Sequence, residues 1–445
     1  MKEKIAADFR EEIKHAFEPG AKVMSADREL RYCLELQRNR IAKRKLKYTE
    51  EMVHKGAFPE GLKNVRSWRD YHYETSWTVD YIDHNTTIQR DGLKTYRHGE
   101  RQAIYETVVD VRDGEDVSGD DYCCPNCGAV STIAELQEGC SHCGTSFKMS
   151  ELYPKVANYF FVYDVSGRAE HMWLTVLKYG VYSLPVNFLM CVYVLYTQYG
   201  MTTLASYLLN PLMLMKLIMV MGVMLPIFGY FAWIFDAFRI AAKTTPVFFE
   251  VANARKKFAL KMSMFCPEFT FENFVARMVS LFKIVAFSDN REELPTYSGR
   301  DLGTVFDNVV DISFLGSMSC KSVKERDGIV YVTGDVYVKT ARDLGDRIKV
   351  KDEIYRIKAG RRKEAMFNTD FSISKNQCHS CGASFDALKT KKCPFCGSEC
   401  QTENTDWVIY DIRNVEFELL IKRLLVAFII LFLIIIALLD TQGLM

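Results

Sequence analysis

One long apolar stretch constrains this chain more than any other feature of its sequence. Lys216 is the only charged residue between positions 179 and 235. A bilayer core takes about 20 apolar residues as helix, with every backbone polar group paired inside the helix. The stretch therefore predicts two membrane spans, at residues 179–199 and 211–235, which form a transmembrane hairpin over residues 179–237.

The alternative is a buried hairpin inside a large soluble core. Residues 213–224 are too continuously apolar for a helix with one wet face. Pro185 and Pro226 are also tolerated better in membrane helices than in soluble ones. A third apolar run at residues 424–439 predicts a C-terminal transmembrane anchor over residues 419–445.

Basic residues predict the orientation of these spans. Arg239 and Lys243 follow the second span and Lys178 precedes the first, whereas only Lys216 lies near the turn of the hairpin. Because cytoplasmic loops carry an excess of lysine and arginine, both polar parts of the chain are predicted to be cytoplasmic domains of a multi-pass protein of the cell membrane. The 14 cysteines agree, since thiols in a reducing compartment are metal ligands or packed side chains before they are disulfides.

Two double Cys-x-x-Cys motifs carry the most specific chemistry. The predicted ligands are Cys124, Cys127, Cys140 and Cys143 in the first motif, and Cys378, Cys381, Cys393 and Cys396 in the second. Four thiolates at this spacing suit tetrahedral zinc, and a glycine after each pair permits a tight turn. We therefore predict two structural Zn²⁺ sites in zinc ribbons at residues 123–147 and 378–400. Cys123 is an alternative to Cys124 as a ligand, and His142 is interpreted as a spacer.

A helical stretch near the N-terminus has a basic face. Its cationic residues are Arg38, Arg40, Lys43, Arg44, Lys45 and Lys47. They could contact anionic lipid head groups or RNA phosphates, or they could form a solvated face balanced by Glu50 and Glu51. The aromatic residues needed for base stacking are missing from this face, and the net charge is only +1, so nucleic acid is disfavoured as a partner.

A second basic segment follows the predicted hairpin. Residues 238–265 are predicted to form a juxtamembrane amphipathic helix, with Arg255, Lys256 and Lys257 near anionic lipid. The alternative is a linker helix packed on the next domain.

The remaining sequence predicts α+β domains. Residues 1–67 are a helical, basic N-terminal region, and residues 68–178 combine short alternating strands with the first ribbon. Residues 266–418 begin with a long apolar-faced helix and contain the second ribbon. Strands of this domain are predicted at 309–318, 329–340 and 348–358, with Asp327-Gly328 as a turn.

The two polar parts share an order of elements. Each has a helix, then strands, a four-cysteine ribbon and an aromatic strand with a similar triplet, Val-Tyr-Asp at 162–164 and Ile-Tyr-Asp at 409–411. We infer a duplicated layout. Independent insertion of two common ribbons is the alternative.

Residues 267–274 have the sequence Pro-Glu-Phe-Thr-Phe-Glu-Asn-Phe and open an aromatic-rich helix. With the strands that end near Trp407, this segment resembles the Tim-forty-four-like domain, named for the tether of the mitochondrial import motor. The resemblance covers residues 266–412. It implies a cone of the nuclear-transport-factor-two type, a curved antiparallel sheet wrapped by helices, and membrane-linked scaffolding without catalysis. The inserted ribbon and the predicted spans depart from the family, and they put an import role in doubt.

The predicted fold is thus α+β, with a cone-like curved sheet, two zinc ribbons and three transmembrane helices. The predicted function is a non-enzymatic, membrane-anchored scaffold that binds a protein or peptide partner. The sequence contains no phosphate-binding loop, His-Glu-x-x-His pair or nucleophile elbow. One alternative is a small-molecule or lipid sensor or an enzyme that uses the cone pocket, with Asp311, Asp335 or Asp370 as acid-base residue. Another is a membrane tether that contacts the ribosome or RNA.

Overall fold

The structure is a computed structural model that describes part of the chain. The described residues are 1–56, 66–69, 73–91, 95–111, 118–145, 147–149, 152–163, scattered positions between 176 and 230, 248–266, 269–363, 373–375, 378, 380–383, 390–393, 395–398 and 407–418. They belong to two compact units. One consists of Met1–Val162 with Glu250–Met445, and the other is Tyr163–Phe249.

The first unit is mostly antiparallel sheet with few helices. Its helices are α1 (Lys2–His15), α2 (Arg28–Lys43), α3 (Ile133–Leu136), α4 (Phe248–Met262, which starts at the end of the second unit) and α5 (Phe271–Phe287). Its strands are β1 (Lys47–His54), β2 (Ser67–Arg69), β3 (Tyr73–Gln89), β4 (Tyr96–Val111), β5 (Asp121–Cys123), β6 (Val130–Thr132), β7 (Phe147–Met149), β8 (Lys155–Tyr163), β9 (Val309–Arg326), β10 (Ile329–Asp343), β11 (Ile348–Arg362), β12 (Ile373–Lys375) and β13 (Val408–Asn414).

Two large sheets repeat the same order of strands. The first sheet has the order β1-β3-β4-β8, with β2 beside β3, and the second has the order β9-β10-β11-β13. In both, neighbouring strands follow one another along the chain, and the four-cysteine segment lies between the third and fourth strands. Asp327 and Gly328 form the predicted turn between β9 and β10, with φ of 53° and 72°, as a type I′ hairpin requires.

A further correspondence concerns the start of each fourth strand. Ala26 forms a parallel bridge with Val156 in the first half, and Tyr297 forms one with Ile409 in the second. Val156 is therefore the counterpart of Ile409. The similar triplets at 162–164 and 409–411 do not mark equivalent positions. Val162 and Tyr163 are the last residues of β8, whereas 409–411 lie near the start of β13. The shared topology supports the inferred duplicated layout, and the triplets do not.

The two sheets share one hydrophobic core. Phe160 of β8 contacts Phe314 of β9 edge to face, with ring centroids 5.8 Å apart. The ring centroids of Phe282 of α5 and Tyr355 of β11 are 5.2 Å apart. Cys33 of α2 belongs to the same buried cluster. Burying apolar surface from both halves in one core stabilises the halves together rather than separately.

This shared core corrects the predicted fold. A self-contained cone over residues 266–418 would close its sheet around its own helices. Instead, the apolar face of the second sheet packs on α5 and also meets side chains of the first sheet. The described residues form a five-stranded and a four-stranded antiparallel sheet, two small two-stranded sheets and few helices, so the predicted cone-like α+β class is wrong.

The predicted spans are also corrected. Within the described part of the chain, no helix combines the length and apolar character that a membrane crossing requires. Helix α5 has only 17 residues, fewer than the roughly 20 needed, and it is buried in the core. This finding contradicts the three predicted transmembrane helices and the multi-pass location in the cell membrane that depended on them. Many residues of the first two predicted spans, and all of 419–445, lie outside the described residues.

Candidate metal centres

The eight predicted cysteine ligands come together in two groups of four. Cys124, Cys127, Cys140 and Cys143 form the first group, and Cys378, Cys381, Cys393 and Cys396 form the second. Within each group, all sulfur atoms lie within 4.8 Å of one another. In both groups the first cysteine of each pair is buried and the second is exposed. Each group is therefore compatible with one structural metal site.

The sulfur separations agree with tetrahedral coordination. The Sγ atoms of Cys124 and Cys143 are 3.8 Å apart, and those of Cys381 and Cys393 are 3.7 Å apart. Four sulfurs at about 2.3 Å from a common metal ion would be about 3.8 Å from each other. A disulfide would bring two sulfurs to about 2.05 Å. The described cysteines are all free thiols, so the groups are arranged for a metal rather than for crosslinks.

A glycine at the same position after each cysteine pair helps to hold these sulfurs in place. After each pair, a glycine with positive φ donates its N–H to the carbonyl of the first cysteine. The glycines and their φ values are Gly128 at 76°, Gly144 at 66°, Gly382 at 70° and Gly397 at 74°, and the four hydrogen bonds measure 2.8–2.9 Å. A residue with a Cβ atom is strained at such angles, which explains the Cys-Gly pairs in the sequence.

Hydrogen bonds to the sulfurs favour thiolates at some of the ligands. The Thr145 hydroxyl, 3.1 Å from Cys143 Sγ, is the main cause that lowers the pKa of Cys143 to about 5. The backbone N–H of Cys381 is the main cause that lowers the pKa of Cys378 to about 6. Thiolates are the metal-binding form of cysteine.

The thiols of Cys127 and Cys381 instead resist ionisation, because the pKa of each is raised when no cation is present. The backbone N–H of Ala129 favours the thiolate of Cys127, but desolvation and the neighbouring sulfurs together raise the pKa of Cys127 to about 12. Several negative charges so close together repel one another. A bound divalent cation would balance these negative charges and so favour the thiolate form, as expected of a four-thiolate metal site.

Two residues next to predicted ligands of the first motif, Cys123 and His142, were considered as possible metal ligands. Cys123 is exposed at the end of β5 and is not among the grouped ligands, whereas Cys124 is. His142 is exposed and also outside the group. Sequence reasoning missed Asn126, whose side chain lies 3.4 Å from Cys143 Sγ and 2.7 Å from Thr145 Oγ1. Its position inside the first Cys-x-x-Cys pair was the available indication.

Much of the basic face for which anion contact and a solvated face were the alternatives makes contacts within the protein. Arg40 is buried, and it donates to the carbonyls of Phe306 and Phe287 at 2.7 and 3.1 Å and to Asp289 at 3.0 Å. Lys43 pairs with Asp289 at 2.9 Å.

The other members of this face are divided between contacts and solvent. Arg44 pairs with Asp343 at 3.0 Å. Arg38 donates to the carbonyl of Ala21. Lys45, which follows the end of α2 with φ 54°, and Lys47 are exposed. The face therefore acts largely as a link between α2 and the second half.

The second predicted anion-binding group lies on α4. Arg255 pairs with Glu272 of α5, and its guanidinium lies 5.1 Å from the ring centroid of Phe271. Lys256 and Lys257 are exposed. Helix α4 thus packs on α5 through Arg255, which agrees with the linker-helix alternative at this residue.

The three carboxylates considered for acid-base chemistry differ in their surroundings. Asp335 is buried and forms a bidentate salt bridge with Arg356, with N–O distances of 2.7 and 3.1 Å. The guanidinium therefore balances the charge of this carboxylate. Asp311 accepts from Gln37 and Ser313, each at 3.0 Å. Burial and then the nearby Glu50 carboxylate raise the pKa of Asp311. Asp370 lies outside the described residues.

Comparison with known proteins adds no identity to this geometry. No family model, curated protein or solved structure matches the chain. The resemblance of residues 266–412 to the Tim-forty-four-like domain therefore stays a prediction, and the function has to be argued from the metal centres themselves.

Proposed function

We propose that this protein is a non-catalytic scaffold whose two Zn²⁺-bearing ribbons bind a protein or peptide partner. The observation that carries the proposal is the composition of the two metal centres. Each offers four cysteine sulfurs and so fills a tetrahedral coordination shell. A catalytic zinc keeps one position open for water or substrate, whereas a closed four-thiolate shell is structural.

Zinc is the metal that suits these centres best. Thiolates select zinc, copper(I) and iron–sulfur clusters, and a tetrahedral set of four sulfurs is typical of zinc or iron. The Cys-x-x-Cys pairs and glycine turns belong to the ribbon geometry in which structural zinc is commonly held.

The second ribbon also offers an apolar anchor for a partner. Phe395 lies between its last two ligands and is 70% exposed. Lys392, directly before Cys393, is also exposed. Aromatic residues held on a rigid support are frequent centres of protein interfaces. A peptide with an apolar side chain beside acidic residues would complement Phe395 and Lys392.

A second candidate function is favoured by one observation. Asp311 lies among buried polar groups at the junction of the two halves, and burial raises its pKa. Groups with perturbed pKa values cluster at functional sites, although buried structural networks perturb them as well. A sensor or enzyme that uses this region is therefore the alternative to the scaffold.

Site-specific photocrosslinking tests the scaffold. A benzophenone amino acid replaces Phe395, and in a matched chain it replaces Phe417, which is 73% exposed but lies outside both ribbons. We expect a discrete protein crosslink from position 395, weak or absent crosslinking from position 417, and the same crosslink after mixing the purified partner with this chain. Equal crosslinking from both positions, or none from 395, would contradict binding through the ribbon.

A further inference from the structure

The two metal-binding ribbons are joined by a small sheet that crosses between the halves. Strand β7 of the first half pairs antiparallel with β12 of the second, with Phe147 opposite Lys375 and Met149 opposite Ile373. These residues are more than 200 positions apart in the sequence. Neither large sheet includes β7 or β12, so this connection is separate from the shared hydrophobic core.

One end of this connection rests on the first metal centre. Phe147, the first residue of β7, is only 9% exposed and packs with Cys124, Cys140 and Leu136 in one buried cluster. Two of these contacts are metal ligands. When the four cysteines hold a metal, the surface on which Phe147 packs is fixed, so β7 is held in position.

The other end leads directly into the second metal centre. Lys375, the last residue of β12, lies three positions before Cys378. A three-residue strand is too short to be stable alone and depends on its partner strand. An ordered β7 therefore supplies the hydrogen-bonding partner that fixes the chain entering the second ribbon.

We propose that the two metal centres are thermodynamically coupled through the β7–β12 pair, so that metal at either centre strengthens metal binding at the other. Metal at one centre pays part of the ordering entropy that metal at the other would otherwise have to overcome. Coupling between two equilibria is reciprocal, so both centres gain by the same factor. The inference concerns metal binding and does not rest on partner binding by the ribbons.

Zinc titration of the full chain against a chromophoric chelator tests the coupling. Cys127→Ser/Cys143→Ser disables the first centre, and Cys381→Ser/Cys396→Ser disables the second. We expect the product of the two wild-type binding constants to exceed the product of the two single-centre constants at least about fivefold, the lower end of typical coupling. Products that agree within about twofold would overturn the proposal.

A matched variant keeps all eight ligands and breaks only the connection. Ile373→Pro/Ser374→Pro removes two successive N–H donors from β12, and at least one of them faces β7 in an antiparallel pair. We expect this variant to bind two zinc ions with constants whose product equals the uncoupled value. Undiminished coupling in this variant would show that the β7–β12 pair does not transmit it.

Hydrogen exchange supplies a readout that does not depend on binding constants. With zinc bound at the second centre in both proteins, amides 373–375 should exchange faster in Cys127→Ser/Cys143→Ser than in the wild type, because β7 has lost its support. Equal protection of these amides in the two proteins would contradict the proposed route.

Discussion

Replacing Cys127 by Ser should remove one zinc ion per chain and unfold the first ribbon. Cys381→Ser should do the same to the second ribbon. A structural zinc site contributes on the order of 10 kcal/mol of metal-binding free energy to the folding of its own segment. A serine leaves three thiolates and a poor ligand. Zinc content after gel filtration, with hydrogen exchange over the ribbon, measures both effects.

Cys123→Ser is the matched control for this result. Cys123 neighbours the ligand Cys124 but is exposed and outside the metal-binding group. We expect Cys123→Ser to keep two zinc ions and wild-type stability. Two zinc ions per chain in Cys127→Ser and in Cys381→Ser would refute the assignment of both centres.

Replacing Arg40 by Met should lower the free energy of unfolding of the first unit by about 2–5 kcal/mol. The guanidinium donates to four backbone carbonyls and one carboxylate in the second half, and its side chain is 3% exposed. Methionine has similar length and leaves those acceptors without this donor. Urea unfolding followed by tryptophan fluorescence measures the loss.

Lys47→Met is the control for this substitution. Lys47 belongs to the same basic face in the sequence but is exposed, so its change should stay within about 0.5 kcal/mol. Equal stability of Arg40→Met and Lys47→Met would contradict the structural role of Arg40. It would favour the hypotheses that the basic face is solvated or binds anions.

The metal centres were predictable because their chemistry is local. The spacing of the cysteines and the glycine after each pair determine the turn, so all eight ligands could be identified from short motifs. The starts of β9, β10 and β11 were also predictable, since alternating patterns and the Asp327-Gly328 turn are local.

The features that depend on distant contacts were not predictable. Arg40 looks like part of a charged helix face, and its carbonyl partner at Phe306 is 266 positions away. A helical pattern shows which residues share a face, but it does not show what covers that face. The apolar face of α5 likewise did not reveal that the second large sheet, on which this helix packs, shares a hydrophobic core with the first half. The three-residue strands β7 and β12 are too short to leave a pattern.

The most direct test of the two proposed metal centres is the metal content of the purified wild-type chain. Native mass spectrometry, combined with elemental analysis, counts the ions bound to one chain and identifies the element. Our account predicts two zinc ions per chain and eight cysteines free of disulfides at positions 124, 127, 140, 143, 378, 381, 393 and 396. A folded chain that binds no metal after exposure to zinc, or one that holds these cysteines in disulfides, would contradict it.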